Sequence, residues 1–188
     1  MHILRSIDDL SKVPSAVHLA IGVFDGVHLG HLAVIGDAIA GAKSSGGSAC
    51  VVTFDPHPVR VLAPAAAPRL LTAEKHKEKL LGMLGIEWML VVPFDEEFAQ
   101  VSGEAFVRQL IDACGELKQI AVGSDFVFGH QRSGDVNLLD SLAADYGFTV
   151  TAVDQVAVEG ERVSSTAVRR AVEMGELEHA RNLLGRDY

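Results

Sequence analysis

The chain has 188 residues, 48% apolar and 22% charged, which is the composition of an ordinary globular protein and excludes an intrinsically disordered one. Its formal net charge of −9 argues against a nucleic-acid partner that is held mainly by phosphate contacts. Any small anionic ligand must therefore meet positive groups that are concentrated at one place.

The cysteines and the apolar runs predict a cytoplasmic protein with no membrane partner. Cys50 and Cys114 lie in no metal-ligand or redox spacing, so both are expected to be buried, reduced thiols. The apolar stretch 17–24 is too short for a secretory signal and runs into Asp25 and Gly26 rather than a cleavage site. No stretch approaches the roughly 18 continuous apolar residues of a membrane-spanning helix.

Short apolar runs alternate along the chain with longer segments of helical spacing. The predicted strands cover residues 16–24, 49–54, 88–94 and 119–123, with one or two more in 148–158. The predicted helices cover residues 32–43, 74–84, 102–114, 136–146, 165–174 and 176–184. Thr72 and Ser102 are expected to cap two of these helices, and Pro56 and Pro58 to interrupt regular structure after the second strand.

This alternation predicts an α/β fold: a doubly wound, mostly parallel sheet with helices on both faces and a small C-terminal helical tail. In such folds, ligands bind beyond the carboxyl ends of the strands, where the strand order reverses. Four segments beside predicted strand ends are rich in functional groups: residues 25–31, 55–58, 124–135 and 162–169. We therefore expect these four segments to build the functional site.

After the first predicted strand, residues 22–31 read G-V-F-D-G-V-H-L-G-H. This is neither the dinucleotide-binding fingerprint nor a P-loop. If a helix begins here, His28 and His31 lie on one side of its first turn, beside free backbone N–H groups and the positive end of the helix dipole. Such a turn can hold a triphosphate, with imidazole N–H groups donating to phosphate oxygens in the transition state. Zinc binding by the two histidines and ordinary surface histidines remain alternatives.

Residues 22–31 resemble the G-x-F-D-G-x-H-x-G-H signature of bacterial FAD synthetases, a branch of the HxGH nucleotidyltransferases. The HxGH part alone would indicate adenylyl or cytidylyl transfer, and the preceding Phe-Asp-Gly narrows the resemblance to the flavin branch. The resemblance implies a Rossmann-like sheet of the HxGH nucleotidyltransferase type.

The segment after the second strand reads T-F-D-P-H-P over 53–58. It is stiffened by one proline on each side of His57. A rigid turn that carries Phe54 and His57 could pack against a planar ring, or it is simply a proline-stiffened loop. The segment is similar to the family motif T-F-x-P-H-P, which the resemblance places beside the isoalloxazine and the FMN phosphate.

The segment after the fourth strand, V-G-S-D-F-V-F-G over 122–129, carries two alternating phenylalanines. If the chain is extended there, Phe126 and Phe128 point to opposite sides, one into the core and one into a ligand pocket. Burial of both rings in the core is the alternative. The segment resembles the family motif V-G-x-D/N-F-x-F-G, and residues 132–135 extend it as R-x-G-D.

The segment R-V-S-S-T-A-V-R-R over 162–170 begins the predicted tail. Its Ser-Ser-Thr run suits a helix cap, and Arg169 lies four residues after Ser165, on the same helical face. These groups either cap the helix alone or surround a leaving pyrophosphate. The segment matches the family motif I/V-S-S-T-x-I/V-R, the second phosphate-binding signature of HxGH enzymes.

The resemblance implies that the phosphate of FMN attacks the α-phosphate of ATP, giving FAD and pyrophosphate. No covalent enzyme intermediate is expected, because no serine or cysteine has an evident base partner. The resemblance assigns the phosphates and the transition state to His28, His31, Ser164, Ser165, Thr166 and Arg169. It assigns the ATP pocket to Gly22, Val23, Phe24, Asp25, Gly30 and Gly123, and the flavin to Phe54, His57, Pro58, Asp125 and Phe128. Mg²⁺ is expected to be carried mainly by the ATP phosphates rather than by a metal site of the protein, although Asp25 either touches the ion or forms the turn.

The resemblance covers residues 1–188, which we interpret as one FMN adenylyltransferase domain that includes the C-terminal helices over 165–188. Most bacterial relatives continue into a riboflavin kinase module, and no kinase-like segment is recognisable in this chain. Two alternatives remain open: a sister nucleotidyltransferase that acts on another phosphorylated substrate, and a flavin- or nucleotide-binding module without activity. All of these expectations require the imidazoles of the first turn and the guanidinium of the tail to converge at the rim of the sheet.

Overall fold

The computed structural model describes all residues 1–188, which form a six-stranded sheet in the order β1-β4-β3-β2-β5-β6. Every neighbouring pair of strands is parallel, and the chain moves outward from β2 first to one side and then to the other. The strand order therefore reverses between β2 and β5, at the centre of the sheet. The strands are β1 (His2–Leu4), β2 (Val17–Ile21), β3 (Ser48–Asp55), β4 (Trp88–Pro93), β5 (Leu117–Gly123) and β6 (Thr149–Val153).

Seven α-helices connect or follow these strands, and none of them combines the length and apolar character needed to cross a bilayer. They are α1 (Leu29–Ser45), α2 (Pro58–Leu62), α3 (Glu74–Met83), α4 (Gly103–Ala113), α5 (Val136–Tyr146), α6 (Ser165–Glu173) and α7 (Leu177–Leu184). A short antiparallel hairpin of β7 (Ala157–Val158) and β8 (Glu161–Arg162) precedes α6. Short 3-10 segments lie at Ile7–Lys12, Pro64–Ala66, Phe98–Gln100 and His130–Arg132.

The core has two layers, one on each face of the sheet. On one face, α4 and α5 bury apolar side chains such as Leu110 and Leu139 against the strands. On the other face, α1 and α3 do the same with Ile35 and Leu81. The helices α6 and α7 form a small third cluster, against which Leu29 of α1 and Leu71 also pack.

The structure confirms the predicted α/β class and the Rossmann-like parallel sheet, and most predicted elements agree within a few residues. Strand β1 was missed because three residues carry too little periodicity to detect. The short helix α2 was also missed: Pro58 opens it, at a position where a missing N–H costs nothing. Ser102 caps α4 as predicted.

The predicted helix cap at Thr72 is wrong. Helix α3 begins after Ala73 and has no side-chain cap. The Thr72 hydroxyl instead accepts a hydrogen bond from the backbone N–H of Gly26, at 2.8 Å. Sequence spacing could not reveal this contact, because it joins segments 46 residues apart.

Candidate active site

The first turn, residues 22–31, leaves the sheet through strained backbone. Phe24 and Val27 have φ angles of 52° and 42°, in the left-handed region that non-glycine residues avoid. Gly26 lies between them with φ of 86°. The Arg186 guanidinium, from beyond α7, donates to the carbonyl oxygens of Gly26 and Val27 at 2.8 and 3.0 Å. Such a conformation persists because distant segments of the chain hold it.

Asp25 is the main anchor of this turn, and its residue is only 2% exposed. Its carboxylate accepts hydrogen bonds from the backbone N–H groups of Leu71 (2.9 Å) and Thr72 (3.0 Å). It also forms an ion pair with Arg169 of α6, at 2.5 Å. The carboxylate therefore joins three segments that are far apart in the sequence.

His28 and His31 stack on each other at the start of α1. Their ring centroids are 3.5 Å apart with an interplanar angle of 16°. His28 is the N-cap of α1: its Nδ1 accepts the backbone N–H of His31 at 3.3 Å. The neutral His28 ring therefore carries its proton on Nε2, which is free to donate to a ligand. The Nδ1 atom of His31 is buried and has no hydrogen-bond partner in the protein.

Burial keeps both imidazoles neutral near pH 7. It lowers the pKa of His28 to about 4. It lowers the pKa of His31 well below its ordinary value, with smaller contributions in the same direction from the neighbouring His28 and Lys77. Both rings therefore offer N–H dipoles rather than full positive charges to a ligand.

A cleft of about 380 Å³ opens above these histidines, at the carboxyl ends of β2, β5 and β6. This is the point where the strand order reverses, as the fold rule predicts. A larger cleft of about 770 Å³ lies beside β4 and α4, but it contains none of the predicted site residues. The predicted residues that line the smaller cleft are Gly22, Val23, Phe24, His28, Gly30, His31, Gly123, Asp125 and Ser164.

The start of α6 is hydrogen-bonded directly to the first turn. Ser164 caps the helix, with its Oγ accepting the N–H of Ala167 at 3.1 Å. The Ser165 hydroxyl donates to the carbonyl oxygen of Asp25 at 2.9 Å. Thr166 is exposed at the same helix end. Ser164 thus provides the helix cap that the Ser-Ser-Thr run suggests, and the motif also touches the histidine-bearing loop.

Arg169 makes two contacts next to this helix start. Its Nε donates to the carbonyl oxygen of Arg69 at 2.8 Å, and a terminal nitrogen pairs with Asp25. The tail guanidinium thus lies against the same loop that carries His28 and His31. The structure brings these groups together at one rim of the sheet.

The proline-stiffened segment lies on the other side of the first turn. His57 caps α2, its Nδ1 accepting the N–H of Val59 at 3.2 Å, and burial lowers the pKa of His57. Phe54 and His57 line a second cavity of about 30 Å³ together with Asp25 and Thr53. Pro58 follows as the first residue of α2.

The two phenylalanines after β5 do not point to opposite sides. The backbone N–H of Phe126 donates to the carbonyl oxygen of Gly123, so the chain turns instead of extending. The rings of Phe126 and Phe128 stack at 5.1 Å with an interplanar angle of 19°. Phe126 lines the cleft of about 380 Å³ that contains His28, whereas Phe128 packs behind it against Phe106 of α4. Phe54 also packs against Phe106, so the two predicted flavin-site rings share one core ring as a neighbour.

Asp125 and Arg162 form an ion pair at the mouth of the cleft. Their side chains are 51% and 53% exposed, so water screens the pair. Arg162 lies at the end of β8, two residues before the cap of α6. It lines the cleft, although the sequence interpretation gave it no role.

The family model described as FAD synthetase matches residues 10–167. The chain belongs to the FAD synthetase family. It is 36% identical over 189 residues to the bifunctional riboflavin kinase/FMN adenylyltransferase of Escherichia coli K12, covering all of this chain and 60% of that protein. It is 39% identical over 181 residues to the protein of the same description from Listeria monocytogenes, covering 96% of this chain and 55% of that protein. The chain thus spans about 60% of the length of the curated relatives it matches.

Solved structures support the fold of this FAD synthetase family member. A crystal structure described as a macrolide-efflux protein from Streptococcus pneumoniae superposes with a TM-score of 0.83 at 26% identity, covering 98% of this chain and 61% of that one. Pantoate-beta-alanine ligase of Francisella tularensis superposes with a TM-score of 0.59 at 15% identity, covering 95% of this chain and 79% of that one, which shows a shared fold alone. The family resemblance predicted from the sequence motifs is confirmed.

Three residues that hold the first turn of the candidate site were missed by the sequence interpretation. Thr72, Lys77 and Arg186 each bond to the backbone of residues 23–27. Lys77 lies in the polar run E-K-H-K-E-K, and Arg186 follows the last helix. Neither context carries a local signal of burial, because both contacts depend on long-range packing.

Proposed function

We propose that this chain transfers the adenylyl group of ATP to the phosphate of FMN, giving FAD and pyrophosphate. The observation that carries the proposal is the contact of the two phosphate-binding signatures, through Asp25 with Ser165 and Arg169, at the cleft that holds His28 and His31. Membership of the FAD synthetase family and relatives described as FMN adenylyltransferases support the choice of FMN as acceptor.

In the proposed reaction, an FMN phosphate oxygen forms a bond to the α-phosphorus of ATP, and the bond from that phosphorus to the bridging oxygen of the β-phosphate breaks. The pyrophosphate leaves with the electron pair of that bond. No enzyme nucleophile is needed, and the cysteines do not suit such a role, because burial raises the pKa of both Cys50 and Cys114 to about 12. Catalysis then depends on positioning and on donors aimed at the phosphates.

The proposal gives each group of residues one task. Neutral His28 and His31 donate to the α- and β-phosphates, where charge increases in the transition state. The start of α6 and the Arg169 guanidinium receive the leaving pyrophosphate. The residues proposed for pyrophosphate are Ser164, Ser165, Thr166 and Arg169; those for ATP are Gly22, Val23, Phe24, Asp25, Gly30 and Gly123; those for the flavin are Phe54, His57, Pro58, Asp125 and Phe128.

Mg²⁺ enters this proposal as part of the ATP substrate. No group of three His, Cys, Asp or Glu side chains in the chain has an arrangement suited to a metal ion. The Asp25 carboxylate is occupied by two backbone N–H groups and Arg169, which supports a turn-stabilising role. The ATP phosphates would therefore supply most of the oxygen ligands.

Two further parts of the proposal concern the protein's surroundings. The free, buried thiols of Cys50 and Cys114 support a reducing, cytoplasmic location. The curated relatives are described as bifunctional riboflavin kinases, and we propose a linked kinase module as the source of FMN in the natural protein.

The direct test incubates the purified chain with ATP, Mg²⁺ and FMN and separates the flavins by chromatography. We expect FAD and pyrophosphate in equal amounts, and no FMN when riboflavin replaces FMN, because no kinase-like segment is recognisable. Quenching of FMN fluorescence without FAD formation would instead indicate a binding module. Neither quenching nor FAD would favour a nucleotidyltransferase with another phosphorylated acceptor.

A further inference from the structure

Helix α3 buries one of its three lysines next to the proposed site. Lys75 and Lys79 are exposed, as expected for the polar run that contains them, but Lys77 is only 8% exposed. Burying an ammonium group is costly unless the group is well hydrogen-bonded. The buried ammonium of Lys77 therefore requires hydrogen-bond acceptors within the protein.

The ammonium of Lys77 joins the exit of β2 to the end of β3. It donates to the carbonyl oxygen of Val23 at 2.7 Å and to the hydroxyl of Thr53 at 3.1 Å. The Thr53 hydroxyl in turn donates to the same Val23 carbonyl, at 2.9 Å. The hydrogen bond from Gly22 N–H to the Val52 carbonyl joins the same two segments one residue earlier, at 3.0 Å. The side chains of Lys77 and Thr53 thus continue the link between β2 and β3 where the backbone pairing of these two strands ends.

Val23 is a wall shared by two cavities that proposed substrate-binding residues line. It lines the cleft of about 380 Å³ that contains His28 and also the cavity of about 30 Å³ that contains His57. Thr53 and Lys77 line the smaller cavity. A shift of the Val23 carbonyl would therefore change the spacing between the groups that line the two cavities, with His28 in one and His57 in the other.

The charge of Lys77 acts on residues of both cavities. The positive charge of Lys77 contributes to the lowered pKa of both His31 and His57, one on each side of the wall. Burial lowers the pKa of Lys77 itself, and the charges of Asp25, Asp55 and Glu74 offset only part of that effect. The ammonium makes no ion pair with these carboxylates, so hydrogen bonds to Val23 and Thr53 fix its position.

We propose that Lys77 is a positioning residue for adenylyl transfer, which holds the Val23 carbonyl against Thr53 and so sets the distance between the bound ATP and FMN phosphates. This inference rests on the proposed function, because the spacing matters only if both substrates meet at this wall. In-line phosphoryl transfer is sensitive to such spacing, and a misplacement of about 1 Å costs roughly 100-fold in rate.

The test measures kcat and the KM for each substrate in Lys77→Met, with Lys79→Met as the matched control on the exposed face of α3. We expect Lys77→Met to lose roughly 100-fold in kcat with little change in either KM. Lys79→Met removes the same charge from the same helix and should match the wild type. Lys77→Arg restores the N–H donors and the charge, and the adjacent cavity offers room for the larger group, so most of the kcat should return.

A second variant keeps the inference testable if Lys77→Met folds poorly. Thr53→Val removes one partner of the ammonium with almost no change in shape, and its kcat should fall less than that of Lys77→Met. The double variant should be no slower than Lys77→Met alone, because both changes remove one shared unit. Thermal melting of every variant reports whether the chain is folded.

Three outcomes would overturn the inference: an undiminished kcat in folded Lys77→Met, a loss that Lys77→Arg does not recover, or additive losses in the double variant. The wild-type chain in the same assay separates this result from the larger proposal. No FAD from the wild type contradicts the proposed function itself. FAD from the wild type and equally from Lys77→Met contradicts only the role of Lys77.

Discussion

Two Asp–Arg ion pairs lie on the candidate site, and their surroundings are opposite. Asp25 and Arg169 are 2% and 15% exposed, and both make further hydrogen bonds to backbone groups. Asp125 and Arg162 are about half exposed, and each is bonded only to the other among the side chains around them. The first pair joins the histidine loop to the tail, whereas the second bridges the mouth of the cleft.

The difference shows that burial and additional hydrogen-bond partners, rather than the residue types, decide how firmly an ion pair holds two elements together. A buried pair whose remaining hydrogen-bonding groups are satisfied locks the elements it joins, because removing either partner leaves an uncompensated charge. An exposed pair is screened by water and can open at little cost. We therefore expect the first turn to be the rigid side of the site, and the loop after β5 with the β7–β8 hairpin to open more easily for a ligand.

Removing each aspartate tests this difference most strongly. We expect Asp25→Ala to destabilise the fold by about 3–5 kcal/mol, because Arg169 stays largely buried without its partner. Asp125→Ala, the matched control, should cost less than about 1 kcal/mol. Urea unfolding of the two variants measures both values. Equal losses would show that the two pairs do not differ in the way described.

Activity should depend on the rigid side of the site. In His28→Ala, we expect kcat to fall roughly 100- to 1000-fold, because one donor to the reacting phosphates is lost. FMN binding, followed by fluorescence quenching, should stay nearly unchanged. The exposed His76→Ala provides the control for loss of a histidine. An unchanged rate of FAD production in His28→Ala would refute the assigned role.

The pH dependence of stability should also originate in the rigid side. The pKa of His28 is about 4 in the folded chain and near 6.5 when unfolded, so the unfolded chain binds a proton first as the pH falls. Stability contributed by the neutral ring is present above pH 6.5 and declines towards pH 4, by roughly 3 kcal/mol. His28→Asn keeps a good helix cap without this titration, so its unfolding free energy should vary less over the same window. Parallel curves for the two proteins would contradict the prediction.

Two glycines give the smallest but most closely matched comparison. Gly26 and Gly160 have φ angles of 86° and 84°, one in the first turn and one in the β7–β8 hairpin. Gly160→Ala should cost about 1 kcal/mol for the left-handed backbone alone, since nothing lies near its added methyl. Gly26→Ala should cost about 2–3 kcal/mol, because its methyl would also meet Leu71 at 2.8 Å. Thermal melting distinguishes the two, and equal shifts would show that the first turn can relax.

Local patterns in the sequence were sufficient for the fold class, most helices and strands, and the family. Hydrophobic periodicity and turn residues act over a few neighbouring positions, so they can be detected without a structure. The glycine-punctuated HxGH turn and the Ser-Ser-Thr helix start are equally local. The turn of the chain that stacks Phe126 on Phe128 was not predicted, since alternation alone suggested an extended segment.

Only the tertiary structure decided how the first turn is held. Ser165 bonds to Asp25 across 140 residues of sequence, and Arg186 bonds to Gly26 across 160. Lys77 turns inward from a run whose sequence is that of a solvated surface, and Thr72 bonds to Gly26 instead of capping α3. Such contacts follow from how elements pack around the sheet, a long-range property that no short window contains. The sequence therefore determined which chemical groups are available, and packing determined which of them meet.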